Sequence, residues 1–211
     1  IYVTQTITVM DVTAPVFAAP PANTTVQCIG NVPAMANVNW TDNCDGAGNV
    51  AGTDVSDGNT CPETITRTWT YTDLCGNPTS VTQTITVDDT TPPLGTAPAA
   101  VTVECIGDVP VADPLLVTGV SDNCTAVPTV NFVGDVSDGN TCPEVITRTY
   151  EIEEACGKVT TVTQTITVDD TTPPTGTAPA DVTVQCMGDV PVVDVTAITD
   201  EADNCTAAPT V

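Results

Sequence analysis

The chain has no histidine, and its only basic residues are Arg67, Arg148 and Lys158, against 27 acidic ones, for a formal net charge of -24 over 211 residues. Phosphate backbones are bound by clustered lysine and arginine, so this balance excludes nucleic acid as a partner. It also disfavours an anionic membrane surface. Aromatic residues make up 3% of the chain, so any module built from it has a thin core. There is no C-x-x-C pair, no glycine-rich phosphate loop and no nucleophile with a base. Those absences remove the common zinc, nucleotide and acyl-transfer chemistries and point to a protein that is not an enzyme. No apolar run is long enough to span a bilayer and no lipidation motif occurs, so direct membrane insertion of this segment is not expected.

What is present repeats itself. Val3-Thr-Gln-Thr-Ile-Thr-Val9 returns letter for letter at Val81–Val87 and at Val162–Val168, which marks a unit of about eighty residues and an array rather than one fold. The cysteines keep the same beat: Cys28, Cys44, Cys61 and Cys75 are answered by Cys105, Cys124, Cys142 and Cys156, then by Cys186 and Cys205. Evenly spaced cysteines without histidine point to disulfides and an oxidising compartment outside the cytoplasm. The repeat divides the chain into residues 1–9 as the last strand of a preceding module, 10–87 as module 1, 88–168 as module 2 and 169–211 as the first half of module 3. A second reading of those ends is strand donation between neighbouring chains, which would make the chain a filament subunit.

Alternation with a period of two dominates, and no stretch has a helical period, so the fold class is all-β. In Thr64–Thr72, Ile65, Arg67, Trp69 and Tyr71 share one face and the threonines share the other. Thr64, Thr66, Thr68 and Thr70 are expected beside Thr82, Thr84 and Thr86 as a cross-strand ladder. Five strands are expected in module 2: Val101–Cys105, a segment near Leu115–Val120, Thr129–Val136, Val145–Ile152 and Thr160–Val168. Five antiparallel passes bring the chain in at one end and out at the other, so modules would join end to end as a rod, each adding roughly 35 to 45 Å. The same parity puts Cys105 and Cys142 at the exit end and Cys124 and Cys156 at the entry end. It therefore predicts Cys105 paired with Cys142 and Cys124 with Cys156, and in module 1 Cys28 with Cys61 and Cys44 with Cys75. Four cysteines allow three connectivities, and strand parity alone makes this choice. Cys186 and Cys205 would take partners beyond the chain end.

Ala22-Asn-Thr-Thr-Val-Gln-Cys28, Thr41-Asp-Asn-Cys44 and Thr66-Arg-Thr-Trp-Thr-Tyr-Thr-Asp-Leu-Cys-Gly-Asn77 resemble the hyalin repeat (HYR) module. Together with the Val-Thr-Gln-Thr-Ile-Thr-Val and Asp-Asp-Thr-Thr-Pro-Pro runs, they are similar to the HYR-like arrays of large repetitive bacterial surface adhesins of the gliding-motility, type IX secreted kind. The resemblance implies tandem immunoglobulin-like β-sandwich modules, an extracellular, cell-surface location, and a role as an adhesive or stalk-forming segment. The partners it implies are neighbouring modules of the same polymer. Surface glycans or other cells would be the targets, and a carbohydrate- or matrix-binding function of each module is the alternative. One departure is Glu151-Ile-Glu-Glu-Ala-Cys-Gly-Lys158, where Glu153 or Glu154 must replace the usual aspartate.

Parity also gathers carboxylates at the entry end of each module. The expected sets are Asp11, Asp42, Asn43 and Asp73 in the first, Asp88, Asp89, Asp122, Asn123 and Glu154 in the second, and Asp169, Asp170, Asp203 and Asn204 in the third. Convergent oxygen ligands without histidine suit Ca2+. The plainer role of the same residues is capping turns and keeping a secreted protein soluble. Thr90 and Thr171, each after an aspartate and before a threonine, fit a bacterial O-glycosylation acceptor pattern.

Overall fold

Threonine and valine fit a pleated, half-buried surface, and they are densest where the chain forms its longest strands. The computed structural model describes residues 1–207 and is all-β apart from short 3-10 turns. The last four positions of the 169–211 segment lie outside the described residues. No helix among the described residues is long and apolar enough to cross a membrane. The chain forms two compact units, the first comprising Ile1–Pro93, Ser121–Pro128 and Glu153–Lys158, the second Leu94–Val120, Thr129–Ile152 and the residues from Val159 onward. Two turns of the second sequence repeat thus belong to the first unit.

The first unit is an immunoglobulin-like sandwich. Its strands are β1 (Val16–Phe17), β2 (Thr24–Val26), β3 (Val38–Asp42), β4 (Gly46–Val50), β5 (Thr53–Ser56), β6 (Glu63–Thr72) and β7 (Pro78–Val87). One sheet has the order β1-β3-β4, the other β2-β7-β6-β5. The threonine ladder forms as expected, with Thr64 opposite Thr86, Thr66 opposite Thr84 and Thr68 opposite Thr82. The opposite face of β6 is buried at Ile65, Arg67 and Trp69. Ile65 packs on Ile85 and Val87 of β7. Trp40 of one sheet stacks on Tyr71 of the other at 3.8 Å between centroids, closing the sandwich. Val3–Val9, which has the sequence of the last seven residues of β7, is exposed and outside any strand.

The second unit contains β8 (Leu94–Thr96), β9 (Val101–Val103), β10 (Thr118–Ser121), β11 (Thr129–Ser137), β12 (Glu144–Glu153), β13 (Val159–Val168), β14 (Thr175–Thr177) and β15 (Thr199–Ala202). Its main sheet has the order β11-β12-β13-β9, with two-stranded sheets β10-β8 and β14-β15 beside it. All five expected strand positions are occupied. β9 runs parallel to β13, as five alternating passes require of the first and last. β8, paired with β10, was not expected, because three residues are too few to show alternation. Val117, Tyr150 and Ile152 form one apolar cluster and Ile146, Ile166 and Val168 another.

Two of the three basic residues are buried, and each has an aspartate opposite it. Arg67 donates to both carboxylate oxygens of Asp54, at 2.7 and 2.9 Å, and to the carbonyl of Pro33 at 3.0 Å. Arg148 repeats this with Asp135 at 2.8 Å and the Pro110 carbonyl at 2.8 Å, and lies over the Phe132 ring. The Arg67 guanidinium holds the Asp54 carboxyl below the usual carboxylate range. A depressed folded-state pKa means the pair stabilises the fold above about pH 4, where a free aspartate is ionised, and the contribution is lost as pH falls through the lower folded value. The partners differ in exposure, with side chains 3% exposed for Arg67 and 35% for Asp54. Asp54→Asn, which leaves a buried cation uncompensated, should therefore cost about 3 kcal/mol, and Arg67→Met, which leaves an aspartate free to rehydrate, about 1 kcal/mol. Denaturant melts of the two variants check the order; equal losses would contradict this account.

Candidate metal centres and the cysteines around them

Each centre is built from tight turns in which an aspartate caps its own backbone. In Asp42-Asn-Cys-Asp45, Asp42 Oδ1 accepts from the N–H groups of Cys44 and Asp45 at 2.9 and 2.8 Å. In Asp73–Asn77, Asp73 Oδ1 accepts from the N–H groups of Cys75 and Asn77 at 2.9 and 2.7 Å. Asp11 Oδ1 accepts from the Thr13 N–H at 3.0 Å and from the Asn43 amide at 3.2 Å. The three carboxylates converge, each offering an oxygen within 4.8 Å of the other two.

The second centre copies the first. Asp89 Oδ1 accepts from the Thr91 N–H and the Asn123 amide, and Asp122 Oδ1 accepts from the N–H groups of Cys124 and Thr125. Glu154 takes the place of Asp73: its Oε2 accepts from the Cys156 N–H at 2.7 Å and its Oε1 from the Lys158 N–H at 2.8 Å. Asp89, Asp122 and Glu154 again lie within 4.8 Å of one another. Oxygens on opposite sides of an ion at about 2.4 Å are about 4.8 Å apart, so both triplets have the span of a calcium shell.

The turn hydrogen bonds occupy one oxygen of Asp11, Asp42, Asp89 and Asp122 and leave the other, whereas Asp73 Oδ2 accepts from the Asn77 amide at 2.7 Å. Asp11 Oδ2, Asp42 Oδ2, Asp89 Oδ2 and Asp122 Oδ2 are all buried without a hydrogen-bond partner. Asp89 is 1% exposed and Glu154 4%. A buried, unpaired carboxylate oxygen is costly, and here it recurs at equivalent positions of two repeats. The Thr13 N–H holds Asp11 below the ordinary carboxylate range. Burial pushes Asp73 and Asp122 up, but the N–H groups of Asn77, and of Thr125 and Cys124, outweigh it and leave both lowered. These groups are ionised at neutral pH, and a hard divalent cation is the species that would neutralise them.

The remaining expected ligands fall into three groups. Asn43 and Asn123 steer Asp11 and Asp89 by donating from their amides. Asp88 stands outside the second triplet, which corrects its expected place: consecutive residues of an extended chain point to opposite sides and only Asp89 faces the turns. The N–H groups of Asp88 and Asp169 donate to the Val26 and Val103 carbonyls. In the third set, Asp203 Oδ2 accepts from Cys205 and Thr206 and Asp170 Oδ1 from Thr172, the same turn chemistry, while Asn204 lies beside Cys205.

The disulfides differ from expectation. Cys28 bonds Cys124, Cys61 bonds Cys156 and Cys105 bonds Cys205, with Cα atoms 5.1, 5.3 and 5.1 Å apart. The expected pairs Cys28 with Cys61, Cys44 with Cys75, Cys105 with Cys142 and Cys124 with Cys156 do not form, and Cys44, Cys75, Cys142 and Cys186 are free and exposed. Cys205 finds its partner within the chain. Strand parity correctly gathered Cys28 with Cys61 and Cys124 with Cys156, because all four line one cavity of the first unit. Four thiols at one place can pair in more than one way, and the turns of the following repeat lie closer than the neighbour on the same repeat.

One contact had an unread signal. Gln27 accepts from the Thr90 N–H at 3.1 Å and donates to the Thr90 hydroxyl at 3.0 Å, and Glu104 accepts from the Thr171 N–H and hydroxyl at 3.1 and 2.9 Å. Gln27, Glu104 and Gln185 each precede the first cysteine of a repeat, so the long polar side chain there was visible in the sequence. It fixes the linker that carries Asp89 or Asp170. Thr90 and Thr171 are exposed.

A family model described as an HYR-like domain with 4 cysteines matches residues 16–87 and again residues 93–168. No curated protein matches the chain.

Proposed function

The chain belongs to the family of HYR-like domains with four cysteines, and from that premise we propose that it is a calcium-holding, disulfide-stapled structural segment of an extracellular adhesion protein. Repeats of this family together with three disulfides point to an extracellular or cell-surface protein. In the finer reading, the modules form a stiff rod or fibre that presents an adhesive region at the cell surface. The work done is mechanical, with no reaction catalysed.

The observation that carries the calcium assignment is the pair of carboxylate triplets, each with aspartate oxygens buried and unpartnered. Asp11, Asp42 and Asp73 would hold one ion, Asp89, Asp122 and Glu154 the other. Two of the three ligands of the second centre sit two residues before a bonded cysteine, Asp122 before Cys124 and Glu154 before Cys156. The staples thus hold the ligand turns in place, and calcium offsets the repulsion among them. Isothermal titration should give two calcium equivalents with dissociation constants on the order of 10⁻⁴ to 10⁻³ M, as extracellular modules have, and much weaker magnesium binding. An absence of calcium heat across that range would sink the assignment.

Thr90 and Thr171 are carried in the same proposal as O-glycan acceptors, supported by their exposure on the linkers. Intact-mass measurement of the protein from its native source reads this directly: a hexose-sized increment on each linker peptide is expected, and bare peptides would end the idea.

A further inference from the structure

The three bonds obey one rule. The first cysteine of a repeat bonds the second cysteine of the next in Cys28–Cys124 and Cys105–Cys205, and the third bonds the fourth of the next in Cys61–Cys156. Sequence separations of 96, 95 and 100 residues exceed the length of a repeat. The closed loops therefore overlap, with Cys61 and Cys105 both lying inside the loop from Cys28 to Cys124. Pairing within repeats would leave each linker as a single backbone crossing between separate closed loops. With overlapping loops, every peptide bond between Cys28 and Cys205 is spanned by at least one disulfide.

We infer that the array contains a second covalent path beside the backbone, a ladder that carries tension and keeps the array in one piece after its backbone is cut. From Cys28 the ladder crosses to Cys124, returns along about 20 residues to Cys105 and crosses to Cys205, whereas the backbone route has about 180 residues. At a limit of about 3.6 Å per extended residue, the first route can stretch to about 70 Å and the second to about 640 Å. Modules that unfold under load thus cannot pay out their chain. The bond between Cys61 and Cys156 adds an independent crossing of the same linker.

Cys44 and Cys75 occupy the positions of Cys124 and Cys156, and Cys142 and Cys186 those of Cys61 and Cys105. Each bond forms as two thiols give up two protons and two electrons to a disulfide oxidant, which leaves as two thiols. This ladder needs only the connectivity and stands whether or not the carboxylate triplets hold calcium.

The linker cut is the decisive test. A protease site inserted between Ala99 and Ala100, in the exposed loop from β8 to β9, lies away from both triplets. After thiols are blocked and the site is cleaved, electrophoresis without reductant should show one species of undiminished mass, and reductant should release two fragments. Two fragments without reductant would overturn the inference, because bonds confined to a repeat lie wholly on one side of the cut. Non-reducing peptide mapping of the unaltered chain gives a second reading that no folding defect can confuse. Cys28 linked to Cys124 and Cys61 to Cys156 is expected, and Cys28 linked to Cys61 would refute it. Pulled between its ends, the oxidised protein should lengthen roughly fourfold at full extension when reduced, against roughly 1.5-fold for pairing within repeats.

Discussion

Saturating calcium raises the melting temperature by about 10 °C, and Asp89→Asn removes about half of that rise while raising the melting temperature measured in chelator. At 10 mM ion and affinities of 10⁻⁴ to 10⁻³ M, mass action stabilises by about 1.4 to 2.7 kcal/mol per site, and each kcal/mol moves the melt of a protein this long by about 2 to 4 °C. The opposite sign without calcium follows from the geometry. Asp89 is 1% exposed, has an unpartnered Oδ2 and lies within 4.8 Å of Asp122 and Glu154. Asparagine keeps the carbonyl that caps Thr91 but removes one of three clustered charges. Calorimetric melts of wild type and variant, each with calcium and with chelator, give the four numbers required. A variant equally destabilised in both conditions would reduce Asp89 to a turn cap.

Removing cysteines two at a time produces the other large effect, and its size depends on which two. Replacing Cys28 and Cys124 by serine deletes one bond and leaves Cys61–Cys156 intact, at a cost of about 4.7 kcal/mol for a loop of nearly a hundred residues in the chain-entropy model. Replacing Cys28 and Cys61 deletes two bonds and strands Cys124 and Cys156, so its loss should be clearly larger, approaching twice that figure. Pairing within the repeat would reverse the order, because Cys28 and Cys61 would then be a single bond. Urea melts of the two double variants rank them. In the second, free Cys124 and Cys156 also release the turns that carry Asp122 and Glu154, so its calcium response at that centre should be lost as well.

The two effects share an origin in how the turns are built. The Asp-x-Cys spacing places a ligand two residues from a bonded cysteine in both Asp122–Cys124 and Glu154–Cys156. Asp122 caps its turn with Oδ1 and leaves Oδ2 buried and unpartnered, Glu154 caps its turn with both oxygens, and a bonded cysteine pins each turn.

Much of this was legible locally. The period-two pattern placed every long strand, because side chains alternate faces irrespective of what covers them, and it put Ile65, Arg67 and Trp69 on the buried face. The repeat length, the carboxylate-bearing turns and the ends at which cysteines gather followed from spacing and from counting antiparallel passes. Three things did not follow. Strand β8 is too short to carry a periodic signal, and its place comes from pairing with β10. Asp89 rather than Asp88 joins the expected Glu154 in the second centre, because only packing distinguishes which of two adjacent linker carboxylates faces the turns. The cysteine partners were decided by tertiary structure alone: counting passes places Cys28 and Cys61 at the exit end of one module and Cys124 and Cys156 at the entry end of the next, but a bond forms between the two sulfurs brought within reach, and that is set by which turn of the next repeat packs against which strand end.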